Sequence, residues 1–242
     1  LLGPPSILPS IVRGLDAERR KAWTEGVEVY SKAIALATDA WPAVIGAAPE
    51  AIALAPSISV AVSTVAEALD YAKRPKVVVT SLDFPTVAYQ WLAKARRGIE
   101  VVVVESPDGV TVPVDAIARA VDERTALVAT SHVYFTSGAI QDIRAGADGA
   151  HARGALCMGD AYQSVGQVPV DARAAGADFL TAGGLKWLLG GTGIVFLYVR
   201  EELARRLQPT TAGWFGHRQQ FAFDPHALAF HDDARRFELG TP

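Results

Sequence analysis

The stretch ADFLTAGGLKWLLGGTGIVFLYV, residues 177–199, contains two short apolar runs separated by a glycine-rich loop. The runs 177–183 and 193–199 are bounded by turn residues and are mostly apolar, which is typical of strands buried on both faces of a sheet. The loop between them carries a single amine, Lys186, with glycines on both sides. The sequence therefore predicts two buried strands with a lysine at the edge of their sheet.

The same alternation of short apolar runs and helical segments extends over most of the chain. Five further runs are predicted as strands buried on both faces, at 51–55, 76–80, 100–105, 125–133 and 155–160. Helices are predicted at 59–73, 85–98, 112–123 and 143–154, with one or two amphipathic helices at 15–40. This alternation predicts an α/β fold with a seven-stranded, mainly parallel sheet and helices on both faces.

The composition is that of an ordinary globular protein. The chain has 242 residues, of which 50% are hydrophobic and 20% are charged, and its formal net charge is −3. The lack of a basic excess argues against nucleic acid as a partner, and no apolar run reaches the length of a membrane span. The single cysteine, Cys157, excludes an internal disulfide framework and favours a reducing compartment. We therefore expect a cytoplasmic protein that binds neither nucleic acid nor membranes.

Ligands of open α/β sheets bind outside the carboxyl ends of the strands, so the residues that follow each strand are candidates for a site. Asp160 ends one predicted strand, and Lys186 follows the next. A buried carboxylate needs a cationic partner, and a buried lysine tends to lose its proton and become a nucleophile. An aldehyde cofactor uses both groups, because the amine forms a Schiff base and the carboxylate keeps a pyridine nitrogen protonated. This pairing predicts pyridoxal phosphate as the cofactor.

Other residues near the strand ends fit the remaining parts of that cofactor. Ser57 and Ser59 open the helix after the first strand, and a helix N-terminus with hydroxyl groups favours a phosphate. Phe84 follows the second strand, where its ring is placed to stack on the pyridine. Gln163 is placed to donate a hydrogen bond to the ring hydroxyl. Taken alone, the two serines would predict a plain helix cap, and Phe84 would be predicted to be a core residue. The hypothesis of a cofactor site therefore depends on all of these residues together.

Six stretches, in this order, resemble motifs of the class-V aminotransferase family of fold-type-I pyridoxal-phosphate enzymes. They are DFPT (83–86), SHVYFTSG (131–138), GDAYQSVGQVPVD (159–171), AGGLKWLLGGTG (182–193), GWFGH (213–217) and RFELGTP (236–242). The family includes kynureninases, cysteine desulfurases and isopenicillin-N-epimerase-like proteins. The resemblance covers nearly the whole chain and implies a fold-type-I large domain that acts on an amino acid.

The resemblance implies a role for each matching residue around the cofactor ring. Lys186 would carry the cofactor, Asp160 would pair with the pyridinium nitrogen, and Gln163 would contact the phenolic oxygen. Phe84 would stack on the ring, and Ser131 occupies the position of a polar cofactor neighbour.

The resemblance also implies a phosphate site and a homodimer with its active site at the interface. Ile58 and Ser59 match the phosphate-binding turn of the family. Trp214 and Thr241 match residues that reach the cofactor phosphate or the substrate from the neighbouring subunit. The expected parts of the chain are an N-terminal segment with helices (1–40), the cofactor-binding large domain (41–206) and an extended segment at the dimer interface (207–242). The family's C-terminal small domain, which carries the arginine for the substrate carboxylate, is expected to be absent from this chain.

Departures from the family pattern leave several functions open. Leu185 stands where desulfurases have histidine and kynureninases have tyrosine, and Val87 replaces an acid that follows the F-P-S motif of kynureninases. A kynureninase-like or desulfurase-like lyase is the leading hypothesis, with an aminotransferase or epimerase as the alternative. A truncated, non-catalytic binding protein is a second alternative. A nicotinamide-dependent dehydrogenase fits poorly, because no G-x-G-x-x-G follows the first strand, and the histidines show no metal-ligand spacing.

Overall fold

The computed structural model describes residue 42 and residues 44–240, so the helices predicted at 15–40 and the predicted binding residue Thr241 lie outside the described residues. The described part is built on one seven-stranded sheet. Its strands are β1 (Ile52–Ala55), β2 (Lys76–Thr80), β3 (Glu100–Val104), β4 (Thr125–Ser131), β5 (Leu156–Asp160), β6 (Phe179–Gly183) and β7 (Val195–Val199). Their order across the sheet is β1-β7-β6-β5-β4-β2-β3.

The strands β3, β2, β4, β5 and β6 run parallel to one another, whereas β7 runs antiparallel to both of its neighbours, β1 and β6. Parallel neighbours need crossover connections, and helices supply most of them. Because β7 is reversed, its first residue, Val195, lies at the edge where β6 ends at Gly183. The predicted α/β fold with a mainly parallel sheet is confirmed.

Five α-helices are present in the described part of the chain. They are α1 (Ile58–Ala68), α2 (Pro85–Leu92), α3 (Val114–Ala120), α4 (Ile143–His151) and α5 (Glu201–Arg206). Local signals explain their starts: the Ser57 hydroxyl accepts from Val60 N, and the Asp142 carboxylate accepts from Ala145 N. Pro85 occupies the first position of α2, where a missing N–H costs nothing.

All four helices predicted within the described residues end before their predicted boundaries, two of them by five or six residues, although their positions are as expected. The helix predicted at 59–73 ends at Ala68, where Leu69 turns to extended backbone. The helix predicted at 85–98 ends at Leu92, and a separate 3-10 turn follows, closed by Gly98 at φ 83°. In both cases the residues beyond the observed helix end form bends and turns instead.

Helices cover both faces of the sheet. Alternate residues of a strand point to opposite faces, and in the central strands both sets are apolar and pack against helices. Val77 and Val79 pack in the core beneath α1 and α2, together with the buried Trp91. Val78 points the other way, into a core that includes Ile117 of α3 and residues of α4. The central strands are therefore buried on both faces, which accounts for their nearly continuous apolar sequence.

The strand β3 is an exception to the prediction that every strand is buried on both faces. Glu100 and Val103 are exposed, and Val101 and Val102 are only half-buried. The reason is its position: β3 pairs only with β2 and forms an edge of the sheet. The run of four valines alone did not distinguish an edge strand from a central one.

The segment after α5 is irregular, but part of it is packed against the same chain. Ala234 and Phe237 are buried in the core beneath α1. The guanidinium of Arg236 donates hydrogen bonds to the carbonyls of His231, Arg205 and Leu207. A buried arginine saturated by carbonyl oxygens fixes this segment without a carboxylate partner.

Candidate functional site

A cavity of about 310 Å³ lies at the edge where the central parallel strands end. This volume is at the lower end of the ~300–1,000 Å³ typical of small-ligand sites. Its lining includes all of the ring- and phosphate-contacting residues predicted from this end of the sheet, namely Ile58, Ser59, Phe84, Ser131, Asp160, Gln163 and Lys186. The strand-end rule therefore located the cavity, and the tertiary structure brings these residues together.

Asp160 ends β5 at the base of the cavity and is 7% exposed. Tyr162 N donates to its Oδ1 at 2.9 Å. Burial raises the pKa of Asp160 to about 6, with a further increase from the nearby charge of Asp83, while the Tyr162 N–H and Lys186 oppose the change. Among the described residues, no lysine, arginine or histidine forms an ion pair with this carboxylate. A buried acid left without a direct cation suits a cationic group that enters from the cavity.

Lys186 lies in the loop between β6 and β7, and its amine faces aromatic rings. Its Nζ is 4.6 Å from the centre of the Tyr162 ring and 5.8 Å from that of Phe84. Partial burial lowers the pKa of Lys186, and the charge of Asp160 opposes that change. An amine with a lowered pKa is closer to its unprotonated, nucleophilic form at neutral pH.

The glycines around Lys186 have a steric explanation. A Cβ on Gly183 would collide with the Tyr162 ring, over which the Lys186 amine lies. Gly193 closes the loop at φ 90°, a conformation that disfavours any residue with a side chain. Leu189 has a φ of 54°, so the loop is held in a costly conformation by the structure around it.

The N-terminus of α1 also lines the cavity. Ser57 is the N-cap, and its hydroxyl and carbonyl oxygens accept from the backbone N–H groups of Val60 and Ala61. In the described structure the N–H groups of Ile58 and Ser59 have no acceptor, as expected for the first turn of a helix. Free N–H groups at a helix N-terminus suit a phosphate. The cap and phosphate interpretations of this turn are therefore compatible.

Phe84 forms a wall of the cavity and leaves much of its ring open. It is 47% exposed, and its ring meets that of Phe135 at a centroid distance of 5.3 Å and an angle of 77°. The edge of one ring supports the other, which is a favourable aromatic arrangement. Phe84 is thus not a core residue, and its ring is available to stack on a planar ligand.

Gln163 has its amide orientation fixed by a neighbouring tryptophan. Trp187 Nε1 donates to Gln163 Oε1 at 3.2 Å. Because an indole N–H is only a donor, the contact assigns Oε1 as the acceptor and leaves the NH₂ group free to donate. This matches the predicted donation to a ring hydroxyl.

Of the two predicted residues beyond position 207, Trp214 does not line this cavity. Trp214 is 40% exposed and contacts Phe215, Phe221 and Phe223. Thr241 lies outside the described residues. The expectation that both act across a dimer interface stays a prediction.

The cavity edge also contains residues that the sequence did not single out as ligands. Tyr162, Thr192 and Phe135 line the cavity, and Asp83 is buried beside it. All follow predicted strands or belong to quoted motifs, but nothing local distinguished them from turn residues. Asp83 was the easiest to miss, since an aspartate before F-P is an ordinary helix-start residue.

Cys157 is placed where it has no access to the cavity. It is fully buried in β5, and burial raises the pKa of its thiol to about 12. A thiol that is both buried and protonated is a poor nucleophile.

The family model described as Aminotransferase class-V matches residues 25–242, and the chain belongs to this family. It is 39% identical over 220 residues to the uncharacterized aminotransferase YcbU of Bacillus subtilis (strain 168), covering 91% of this chain and 56% of that protein. It is 33% identical over 230 residues to a kynureninase of Deinococcus radiodurans, covering 92% of this chain and 54% of that protein.

A solved structure agrees with the fold. The apo cysteine desulfurase of Thermococcus onnurineus NA1 superimposes with a TM-score of 0.74 at 27% identity, covering 85% of this chain and 51% of that one. The chain thus spans about half the length of the relatives that it matches. The predicted family and fold type are confirmed.

The family assignment also confirms pyridoxal phosphate as the cofactor. The cavity fits this group, since its lining includes free helix N–H groups, a buried carboxylate without an ion-pair partner among the described residues, and a lysine. In the described residues no helix is long and apolar enough to cross a membrane. The same residues contain no group of three His, Cys, Asp or Glu side chains that would hold a metal.

Proposed function

We propose that this chain is the large domain of a pyridoxal-phosphate enzyme that acts on an amino acid, with the cofactor attached to Lys186. The observation that carries the proposal is the placement of Lys186 and the buried Asp160 in one cavity, which also receives the N-terminus of α1. When bound, the cofactor supplies an electron-withdrawing ring that stabilises negative charge at the substrate Cα.

The residues of the chain divide the work of binding and proton transfer. The N–H groups of Ile58 and Ser59 bind the phosphate, and Phe84 covers one face of the ring. Asp160 holds the proton on the ring nitrogen, and this charge pairing satisfies a carboxylate that is otherwise costly to bury. Once the substrate amine takes its place, Lys186 moves a proton to or from Cα, a task helped by its lowered pKa.

The reaction class that we propose is a lyase of the kynureninase or cysteine desulfurase kind, as relatives of both names match the chain. An aminotransferase or epimerase is the alternative, favoured by the similarity to YcbU. Leu185 lines the cavity beside Lys186 and offers no hydrogen bond or charge, so it supports none of these over the others. Binding of a partner without catalysis is the second alternative.

A homodimer in the cytoplasm completes the proposal. The rings of Trp214, Phe221 and Phe223 contact one another and are 40%, 53% and 70% exposed. An exposed aromatic cluster of this kind is typical of a surface that another protein covers. The cytoplasmic location is supported by the single, unpaired Cys157.

The first test is the visible absorption spectrum of the purified chain with pyridoxal phosphate, before and after borohydride, followed by peptide mapping. The proposal expects a yellow protein whose reduced cofactor maps to Lys186. A matched Lys186→Ala variant should give no labelled peptide. Labelling of several surface lysines in both proteins would contradict the proposal.

The second test distinguishes the functions. The reconstituted chain is incubated with L-cysteine, L-kynurenine or L-alanine in D₂O, and exchange at Cα is followed by NMR together with the release of sulfide, anthranilate or keto acid. Release of sulfide or anthranilate supports a lyase, and keto acid alone supports an aminotransferase. Covalent labelling of Lys186 without exchange for any of the three would favour the non-catalytic alternative.

A further inference from the structure

Asp83 is a buried carboxylate in the turn between β2 and α2 that no step above uses. It is 7% exposed and is followed directly by Phe84, the aromatic wall of the cavity. Burial raises its pKa, and hydrogen bonds from Thr80 and Ser131 oppose the increase. A group that is costly to bury and lies beside the site calls for an explanation.

Both oxygens of Asp83 accept hydrogen bonds from the backbone of neighbouring strands. Thr80 N, at the end of β2, donates to Oδ2 at 2.8 Å, and Ser131 N, at the end of β4, donates to Oδ1 at 2.6 Å. The hydroxyl of Thr130 donates to Oδ1 at 3.3 Å and also contacts Tyr134 Oη at 3.3 Å. The carboxylate thus joins the carboxyl ends of two strands that are adjacent in space.

The hydrogen bond from Ser131 connects Asp83 to residues that line the cavity. Ser131 lines the cavity and pairs with Asp160 in the β4–β5 register. The next residue, His132, donates its N–H to the Asp160 carbonyl at 2.8 Å. Asp83 therefore helps to fix the positions of Phe84, Ser131 and Asp160 relative to one another.

We propose that Asp83 is a positioning residue for the cofactor, which holds Phe84 and Ser131 in place at the wall of the cavity that Asp160 also lines. The inference rests on the proposed cofactor site and extends it to a residue that makes no contact with the cofactor. Asparagine is a poor substitute, because it has one oxygen for two backbone N–H groups and turns its NH₂ toward the other.

The charge of Asp83 also bears on Asp160. The groups that affect the Asp160 carboxylate are Asp83 in the turn after β2, Lys186 in the loop after β6, and the N–H of Tyr162. Of these, only Asp83 adds a negative charge. Its removal should let Asp160 remain ionised to lower pH.

The test compares Asp83→Asn with Asp178→Asn in the full chain. Asp178 is also a fully buried aspartate that accepts a backbone N–H, from Cys157 at 2.7 Å, but it lies at the opposite edge of the sheet. The affinity for pyridoxal phosphate is measured by absorption titration from about pH 5 to about pH 9, with the apo fold checked by circular dichroism.

We expect D83N to weaken the affinity at least ~10-fold and to shift its acid-side midpoint to lower pH, and D178N to stay within ~2-fold without a shift. The ionisation of the cofactor phosphate is common to all three proteins and cancels in the comparison. Equal affinities and midpoints in D83N and D178N would overturn the inference while leaving the cofactor site intact. A wild-type chain that does not bind the cofactor would overturn the proposed function itself.

A second variant covers the case in which D83N does not fold. Thr130→Val removes one hydroxyl bond to Asp83 and keeps both carboxylate oxygens paired with backbone N–H groups. It should weaken the affinity about 2- to 3-fold, as expected for one long hydrogen bond. An unchanged affinity in T130V would then count against the positioning role.

Discussion

The two edges of the sheet bury aspartates in opposite ways. At the edge away from the cavity, Asp178 is fully buried and paired: His151 Nε2 lies 2.8 Å from its Oδ2, and Arg200 Nη2 lies 2.8 Å from its Oδ1. At the cavity edge, Asp83 and Asp160 are buried with backbone N–H donors, and neither has an ion-pair partner among the described residues.

This difference indicates that Asp178 has a structural role, whereas the acids at the cavity edge serve a bound ligand. Arg200, which follows β7, forms an ion pair with Asp178, and His151 of α4 hydrogen-bonds to it, so this carboxylate has side-chain partners in the free chain. Burial raises the pKa of Asp160 to about 6, and the charge of Lys186, which forms no ion pair with it in the described structure, opposes this increase only in part. The cavity edge is therefore incomplete without a cationic ligand group, and the following predictions test that contrast.

The largest effect should come from Asp160→Asn. Asparagine keeps the acceptor for Tyr162 N but cannot hold a proton on the ring nitrogen. We expect exchange at Cα of the best amino-acid substrate to fall about 10³-fold, as followed by NMR in D₂O. The equivalent change at the other edge, D178N, should leave the exchange rate per folded molecule unchanged. Similar losses in both variants would remove the contrast between the edges.

For the free energy of unfolding we expect the larger loss at the other edge, from Asp178→Asn. It leaves Arg200 and His151 without their partner and should lower the free energy of unfolding by about 2–3 kcal/mol, measured with urea. This is below the full value for a buried pair, since the Arg200 side chain is 41% exposed. Asp148→Asn, which breaks an exposed pair with Arg144, is the matched control and should cost under about 0.5 kcal/mol.

The pH dependence of stability should carry the signature of Asp160. Its folded pKa of about 6 lies above the value of 3.8 for a free aspartate, so the folded chain keeps this proton longer than the unfolded chain. Stability from this group is present below about pH 4 and is lost as the pH rises to about 6, by about 3 kcal/mol. Urea unfolding of the apo chain, minus that of D160N, should show this fall. A difference that is flat over this range would contradict the raised pKa.

The smallest effect should come from Cys157→Ala. The thiol is buried in β5 and makes no contact with the cavity, so its removal should cost about 1 kcal/mol of stability and leave cofactor binding unchanged. Sulfide release from L-cysteine, if the chain performs it, should also be unchanged. Loss of sulfide release in a C157A chain that still binds cofactor would show that this thiol takes part in the chemistry.

The strands were predicted well from the sequence, because a strand that is buried on both faces consists almost entirely of apolar residues. Strands such as β2 and β6 are short apolar runs ended by turn residues, and their positions needed no tertiary information. The edge position of β3 was not predictable, because strand order depends on which neighbours meet in space. Helix ends at Ala68 and Leu92 also differed, since solvent-facing turns compete closely with one more helical turn.

For the site, sequence reasoning found the groups whose chemistry is distinctive. A lysine among glycines, an acid at a strand end and an aromatic before proline point to one cofactor, and all three lie at the same cavity. It placed Asp83 after a strand and in the DFPT stretch but assigned it no role, because its partner Ser131 is 48 residues away and belongs to a strand that is adjacent only in space. It also gave no hint that Tyr162 would pass so close to Gly183.

The sequence by itself determined the fold class, the family and the chemical types present at the site, because apolar periodicity and motif order are written along the chain. Only the tertiary structure decided which carboxylates are paired and which are left open. Asp83, Asp160 and Asp178 are all acids next to a strand and look alike in the sequence. Their difference arises from the strand order, which brings Arg200 and His151 to one edge and backbone N–H groups to the other. Desolvation acts on all three, and the neighbours supplied by the fold determine their charge and their use.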